Sequence, residues 1–346
     1  MIKTVQIRSF VKGGNHGQYI QALGLSELLK QILPTAKVSH LDYENHFWNE
    51  LRIQILSGML PKYLTMRFYW SKNFTFTPIS QLSDVSIYGS DMIWHLDSSI
   101  FPSDKKMFGE MDDSRHKISY APSTGYRIQD EPLWIKTLLN GFDSVGVRDR
   151  GTHDLVVDHS DLKPVLVVDP CFHLINTNYS FHFKNQIRKD FITVYSPYAK
   201  RLIRNFHQNL DISTLPKFVN NTKYLGYFPR SRFLLDFFRQ LTDPLWTLKQ
   251  ISRSKLLITT TFHGVMMALM TNTPFIAITS PNLEARLNSP ISSVFSSKRL
   301  LSIDAFKLLN NADIEIFLVN DDIDMNALEI YIQKSRDWLK EVLVSL

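Results

Sequence analysis

A single cysteine, Cys171, stands in a chain of 346 residues, which excludes an internal disulfide and points to a reducing compartment. No run of about 18 apolar residues occurs, so no membrane-spanning helix is expected. The opening MIKTVQIRSF has no apolar stretch of signal-peptide length, so no leader is expected either. P-loop, zinc-protease, paired CxxC and serine-hydrolase signatures are all missing, and with them the chemistries they carry. None of the 11 histidines is spaced four from another with a carboxylate nearby in sequence, so no metal site and no cofactor are expected. Internal repeats and low-complexity tracts are absent too.

What the chain does contain is ample apolar material, 44% of residues, with only 13 glycines. At this length two α/β domains are the natural expectation. The net charge of +6 suits anionic small substrates, nucleic acid or an anionic membrane surface. Its basic residues are scattered, with a modest concentration in Lys184–Arg204. That argues against nucleic acid and leaves room for peripheral contact with the inner face of a membrane.

Lys255 to Ile278, KLLITTTFHGVMMALMTNTPFIAI, is the most informative stretch. Lys255–Thr260 reads as a buried parallel strand, VMMALM as helix, and Phe275–Ile278 as the next strand after Pro274. Such a βαβ unit crosses over right-handed and binds ligands beyond the carboxyl ends of its strands. His263 falls at that turn beside Thr260 and Thr261, a polar cluster that either forms a site or caps the helix.

Strands are also expected at Thr4–Ile7, Lys37–Tyr43, Asp84–Tyr88, Lys117–Ala121, Ser144–Val147, Val165–Val168, Phe191–Tyr195 and Phe218–Leu225. Helices are expected at 18–32, Leu133–Phe142, Asp243–Ser252 and Met325–Leu343. The turn 12–17 (KGGNHG) either holds an anion on backbone N–H groups or simply turns tightly. The segment 46–81 is aromatic and basic, interrupted by Pro61 and Pro78. It is read as an amphipathic excursion that touches lipid or serves as core or a dimer contact. Strand after strand ends in small, polar or charged residues: Ser90 and Asp91, with Trp94 and His95 just beyond; then Ser123; then Arg148. Helix capping accounts for Ser and Asp but not for an arginine, which makes a better anion fork than a cap. The polar segment Asn176–Lys189 is read as the domain linker.

Taken in order, Gly17 with Gln21-Ala22-Leu23, Gly89-Ser90-Asp91-x-Ile93-Trp94, Tyr120-Ala121-Pro122-Ser123-x-Gly125, Val147-Arg148-Asp149, Val168-Asp169-Pro170, Trp246 and Thr261-Phe262-His263-Gly264 resemble the polysaccharide pyruvyltransferase family. The resemblance implies an α/β fold of two Rossmann-like domains facing across a cleft, similar to the B-type glycosyltransferases. It also implies transfer of the enolpyruvyl part of phosphoenolpyruvate, a co-substrate, onto a sugar of a polysaccharide or a lipid-linked glycan, forming a pyruvate ketal in the cytoplasm. The divisions expected are 1–178, 186–322 and a C-terminal helix, 323–346, packing back on the first domain. On this reading His263 and Asp91 are catalytic. Arg148, Thr261, Gly264 and Arg286 bind the donor, and Asn15, Ser90, Trp94, His95 and Ser123 line the acceptor side.

One departure stands out. Where many family members carry arginine before Phe-His-Gly, this chain has Thr261, which shifts the donor contact toward Arg148 and Arg286. Two other readings remain open: a transferase with a nucleotide-linked donor, which would need a carboxylate placed to hold a ribose and has only Glu284 as a nearby candidate, an argument against it, and a non-catalytic glycan-binding relative. Assembly into a homo-oligomer is left open as well.

Overall fold

β-branched runs buried on both faces make parallel sheets, and this chain builds two. In a computed structural model, residues 2–42, 51, 55, 60–96, 104–125, 131–184, 186–196, 222–224 and 243–346 are described. The first half runs β1 (Thr4–Arg8), α1 (His16–Ile32), β2 (Lys37–Leu41), α2 (Leu60–Asn73), β3 (Phe76–Thr77), β4 (Val85–Tyr88) and β5 (His116–Tyr120). It continues with α3 (Trp134–Leu139), β6 (Ser144–Val147), α4 (Arg150–His159) and β7 (Val165–Leu166). All its strand pairs are parallel, in the order β3-β2-β1-β4-β5-β6-β7. The order reverses direction between β1 and β4, where a ligand crevice opens in such sheets.

The second half runs β8 (Lys189–Tyr195), β9 (Thr222–Tyr224), α5 (Trp246–Arg253), β10 (Ser254–Thr259), α6 (Phe262–Met270), β11 (Phe275–Ile278), α7 (Pro281–Leu287) and β12 (Leu300–Leu301). Then come α8 (Ile303–Lys307), α9 (Asn311–Ile316) and α10 (Met325–Ser345). Its sheet is again parallel, ordered β12-β11-β10-β8-β9. The reversal falls between β8 and β10. Two Rossmann-like sheets are therefore present, each with one switch point.

α6 explains how the sheets are joined. All nine of its residues are buried, and a helix apolar on every side must be covered on every side. Phe262, Val265, Met266 and Met270 share one hydrophobic cluster with Tyr19, Leu23, Phe172 and Leu174 from the first half. Gly24 completes the fit, because a Cβ there would overlap the carbonyl of Pro170. α10 then returns to the first sheet: Leu339 and Leu343 pack with Val5, Ile7, Val85 and Ile87. Ser335 Oγ accepts from the Val168 amide at 2.9 Å.

Several elements differ from the sequence reading. Strands β3 and β12 have two residues each, too few to show a period. α4, α7, α8 and α9 begin beside turn residues that read as loop. The polar segment Asn176–Lys189 is not wholly extended linker, since Asn178–His182 forms a 3-10 turn and Phe183 is buried. The segment 46–81 contains α2. Tyr63, Met66 and Trp70 turn inward, and Leu64 and Phe68 are exposed; residues 46–50, 52–54 and 56–59 lie outside the described residues. So do 197–204 of the basic concentration, and 218–221 and 225 of the strand expected there. Among the described residues no helix is long and apolar enough to cross a membrane.

Candidate functional site

The two switch points meet. Beyond β4, Asp91 adopts φ 79°, a left-handed conformation that aspartate tolerates better than most residues. A parallel bridge to Pro122 and the Ser123 amide, donating to the Asp91 carbonyl at 2.9 Å, hold it there. Arg148 follows β6 on the next rung, its amide donating to the Pro122 carbonyl at 3.2 Å. From the second half, α6 brings Phe262 and His263, and α7 brings Arg286. Arg286 Nη2 lies 3.8 Å from Asp91 Oδ1. A Cβ on Gly17 would overlap the ring of His263, so the start of α1 presses directly on it.

Two guanidiniums dominate the electrostatics. The Cζ of Arg148 sits 4.2 Å from the centroid of the Phe262 ring, and that of Arg286 sits 4.6 Å from it. Arg148 Nη1 donates to Asp169 Oδ2 at 3.0 Å. Among the described residues, the Nε and Nη2 atoms of both arginines are buried without a hydrogen bond, as is His263 Nε2. Buried polar atoms are nearly always satisfied, so four unbonded guanidinium donors beside an unbonded imidazole nitrogen mark a place where an acceptor-rich ligand belongs. Burial, joined by repulsion from Arg148, lowers Arg286 to about 10, still charged at neutral pH.

His263 and Asp91 have opposite ionisation states. Burial lowers the imidazole to about 4, against the attraction of Asp91, so it is neutral at pH 7. Desolvation, not the helix dipole, is the leading cause. Burial pushes the Asp91 carboxyl upward, but His263, Arg286 and Arg148 outweigh it, and the group ends below its usual value. The site thus offers one neutral base, one carboxylate and two cations.

The remaining expected site residues are mostly occupied elsewhere. Thr261 is the N-cap of α6, its Oγ1 accepting from the Gly264 amide at 3.0 Å. Gly264 has a local reason to be glycine. Its N–H is taken by that cap, and its missing Cβ makes room for Thr259 Oγ1. Asn15 caps α1 by accepting from the Gly17 amide at 2.9 Å, so the glycine turn spends that amide locally. Trp94 is a correction: it is fully buried, stacked on Phe108 at 5.2 Å, with Nε1 donating to the Met107 carbonyl. It is core, because the chain after Asp91 turns inward. Ser123 is also fully buried, with Oγ accepting from the Gly125 amide. Ser90 and His95 are buried, and the Ser90 carbonyl accepts from Ser9 Oγ.

Three residues gain roles the sequence did not assign. Gln21 Nε2 donates to the same Asp169 Oδ2 that holds Arg148, so three separate motif segments close into one buried network. Phe262 lies under both arginines. Their positions inside the motifs were visible; their convergence was not.

A family model, Polysaccharide pyruvyl transferase, matches residues 15–282, a span that begins at the cap of α1 and ends in α7. The chain belongs to that family. The match encloses Asp91, Arg148 and His263, while Arg286 falls just outside it. No curated protein matches the sequence. Among solved structures, a putative UDP-N-acetylglucosamine 2-epimerase from Listeria monocytogenes aligns with TM-score 0.49 and 10% identity, over 99% of this chain and 98% of its own. The UDP-GlcNAc 2-epimerase of Methanocaldococcus jannaschii, solved with UDP-GlcNAc and UDP, aligns at 0.48 and 12%, over the whole of both chains. The E. coli heptosyltransferase WaaC with ADP-2-deoxy-2-fluoro heptose gives 0.38 and 11%, over 91% and 98%. At such scores none of these proteins lends its chemistry to this chain.

Proposed function

We propose that this pyruvyl transferase family member moves the enolpyruvyl group of phosphoenolpyruvate onto two hydroxyls of a sugar, in a polysaccharide or lipid-linked glycan, and releases inorganic phosphate. The observation that carries the reading is the set of unbonded donors on Arg148 and Arg286, with the unbonded ring nitrogen of His263 among the described residues, beside a carboxylate that stays ionised. Phosphoenolpyruvate carries a carboxylate and a phosphate, and two guanidiniums suit such a pair. With Thr261 spent on capping, Arg286 supplies from α7 the cation that many relatives place before Phe-His-Gly.

The proton ledger fits the residues. One sugar hydroxyl adds to C2 of the enolpyruvyl group as the methylene carbon takes a proton and becomes methyl. The second hydroxyl then adds at C2 as phosphate departs. Of the two hydroxyl protons released, one is matched by the new methyl hydrogen and the other by the departing phosphate. His263 on its own is neutral because burial lowers it. The negative charge of a bound donor raises an imidazole, so donor binding readies His263 to take up and deliver a proton. Asp91, facing the same space, accepts from a sugar hydroxyl. The reading needs no metal or redox cofactor.

The test is direct. Incubated with phosphoenolpyruvate and a panel of sugars and glycans, the protein should release phosphate only when an acceptor with two suitably placed hydroxyls is present. Release with no acceptor dependence, or no binding of phosphoenolpyruvate, would reject the reading. Turnover with a nucleotide-linked sugar instead would favour the alternative transferase.

A further inference from the structure

The Phe262 ring occupies an unusual position. It is 1% exposed, opens α6, and has two guanidiniums over it and the His263 ring at 5.9 Å. Two like charges buried this close repel. Among the described residues, Asp169 holds Arg148 by a hydrogen bond, whereas Asp91 stands 3.8 Å from Arg286. Packing in the cluster around α6 accounts for an apolar side chain here, but not for an aromatic one beneath two cations. An aromatic face carries negative potential and attracts a cation within about 6 Å. Phe262 therefore supplies to both arginines an attraction that an aliphatic residue of similar size lacks.

We propose that Phe262 is a positioning residue: its ring face holds the Arg148 and Arg286 guanidiniums in place, pre-set for a ligand bearing two anionic groups. It touches neither reacting atom nor proton. Preorganised cations do not have to be gathered when the ligand arrives, so the gain appears as affinity. The clamp itself rests on the arginines and the ring. Its natural ligand being phosphoenolpyruvate rests on the reading above.

Graded fluorination separates ring electrostatics from shape. Phe262 is replaced by 4-fluoro-, 3,5-difluoro- and 3,4,5-trifluorophenylalanine, which keep the ring's outline while draining its face of negative potential. Inorganic phosphate and phosphoenolpyruvate are each titrated by calorimetry, with thermal unfolding as control. The expected result is a stepwise loss of affinity for whichever anion the wild type binds, reaching about tenfold in the trifluoro protein, at a nearly constant melting temperature. Phe262→Leu, if folded, should lose at least as much, and Phe262→Tyr should lie near wild type where its hydroxyl is accommodated. Equal affinities across the fluorinated series overturn the proposal even if Phe262→Leu fails to fold. Absence of any binding by the wild type overturns it too. Phosphate binding with the expected slope, but no binding of phosphoenolpyruvate, upholds the clamp and rejects the donor assigned above.

Discussion

Two strand–turn–helix units of this chain look alike in sequence and do different work. The β1–α1 turn has glycines, a histidine and a capping asparagine; the β10–α6 turn has threonines, a histidine and a glycine. Each spends an early helix amide on its own cap, Gly17 to Asn15 and Gly264 to Thr261. Each glycine is small because something crowds it, the His263 ring in one case and Thr259 in the other. The difference lies in the side chains. His16 Nδ1 is joined to Thr247 Oγ1, whereas His263 lies in a pocket of charge with Asp91 and with two arginines that have spare donors among the described residues. A glycine-rich turn before a helix is thus weak evidence for anion binding. Side-chain donors left unbonded in a buried place are the stronger sign.

The sharpest test of that contrast is to exchange the two histidines' fates. His263→Ala should lower turnover about 10²–10⁴-fold in a protein that still folds. His263→Gln, which keeps a hydrogen bond but cannot titrate, should stay close to the Ala variant if proton transfer is the role. His16→Ala should instead cost about 1 kcal/mol of stability and leave turnover within a few-fold. A comparable catalytic loss at His16 would erase the distinction.

Next come the arginines. Arg148→Ala and Arg286→Ala should each weaken donor binding by about one to two decades, as loss of a charge-assisted contact does. Their stabilities should diverge. Removing Arg148 leaves Asp169 buried with its charge uncompensated, at a cost of about 3–5 kcal/mol. Removing Arg286 relieves its repulsion with Arg148, so that variant should melt close to wild type. Calorimetry and thermal unfolding on the same preparations give both readings.

The glycines test the packing side. Gly17→Ala should displace His263 and reduce turnover while leaving the fold intact. Gly264→Ala collides with the core side of its own turn and should cost about 1–3 kcal/mol of stability, despite alanine's better helix propensity. Equal stability losses in the two would mean that Gly17 is no closer to the chemistry than Gly264.

The smallest expected effect is a pH dependence. Burial lowers His263 to about 4 and His40 and His173 to about 3, from 6.5 in the unfolded chain. The unfolded state therefore takes up protons first as pH falls below about 6.5. Stability should be full above that value and drop toward pH 4, by about 1–2 kcal/mol per histidine at pH 5. His263→Gln should remove one histidine's share of this acid sensitivity in denaturant titrations at pH 7 and pH 5. An unchanged acid slope would mean that His263 is not held neutral in the folded protein.

By itself the sequence determined the parallel α/β class, because β-branched runs such as Phe275–Ile278 and Ser144–Val147 require burial on both faces. It also marked the edge where charge gathers, since arginine has no capping role at the end of a strand. Local pattern could not place β3, β12 or the short helices, whose few residues carry no period. The sequence also misjudged Trp94, because a polar neighbour says nothing about which way the next turn faces. Only the tertiary structure decided that Gln21, Arg148 and Asp169 form one network, and that Phe262 lies under two arginines from different halves. Those meetings depend on where both sheets reverse their strand order and on α6 being buried between them. Such distances are set by packing between elements far apart in the chain, and no spacing along it records them.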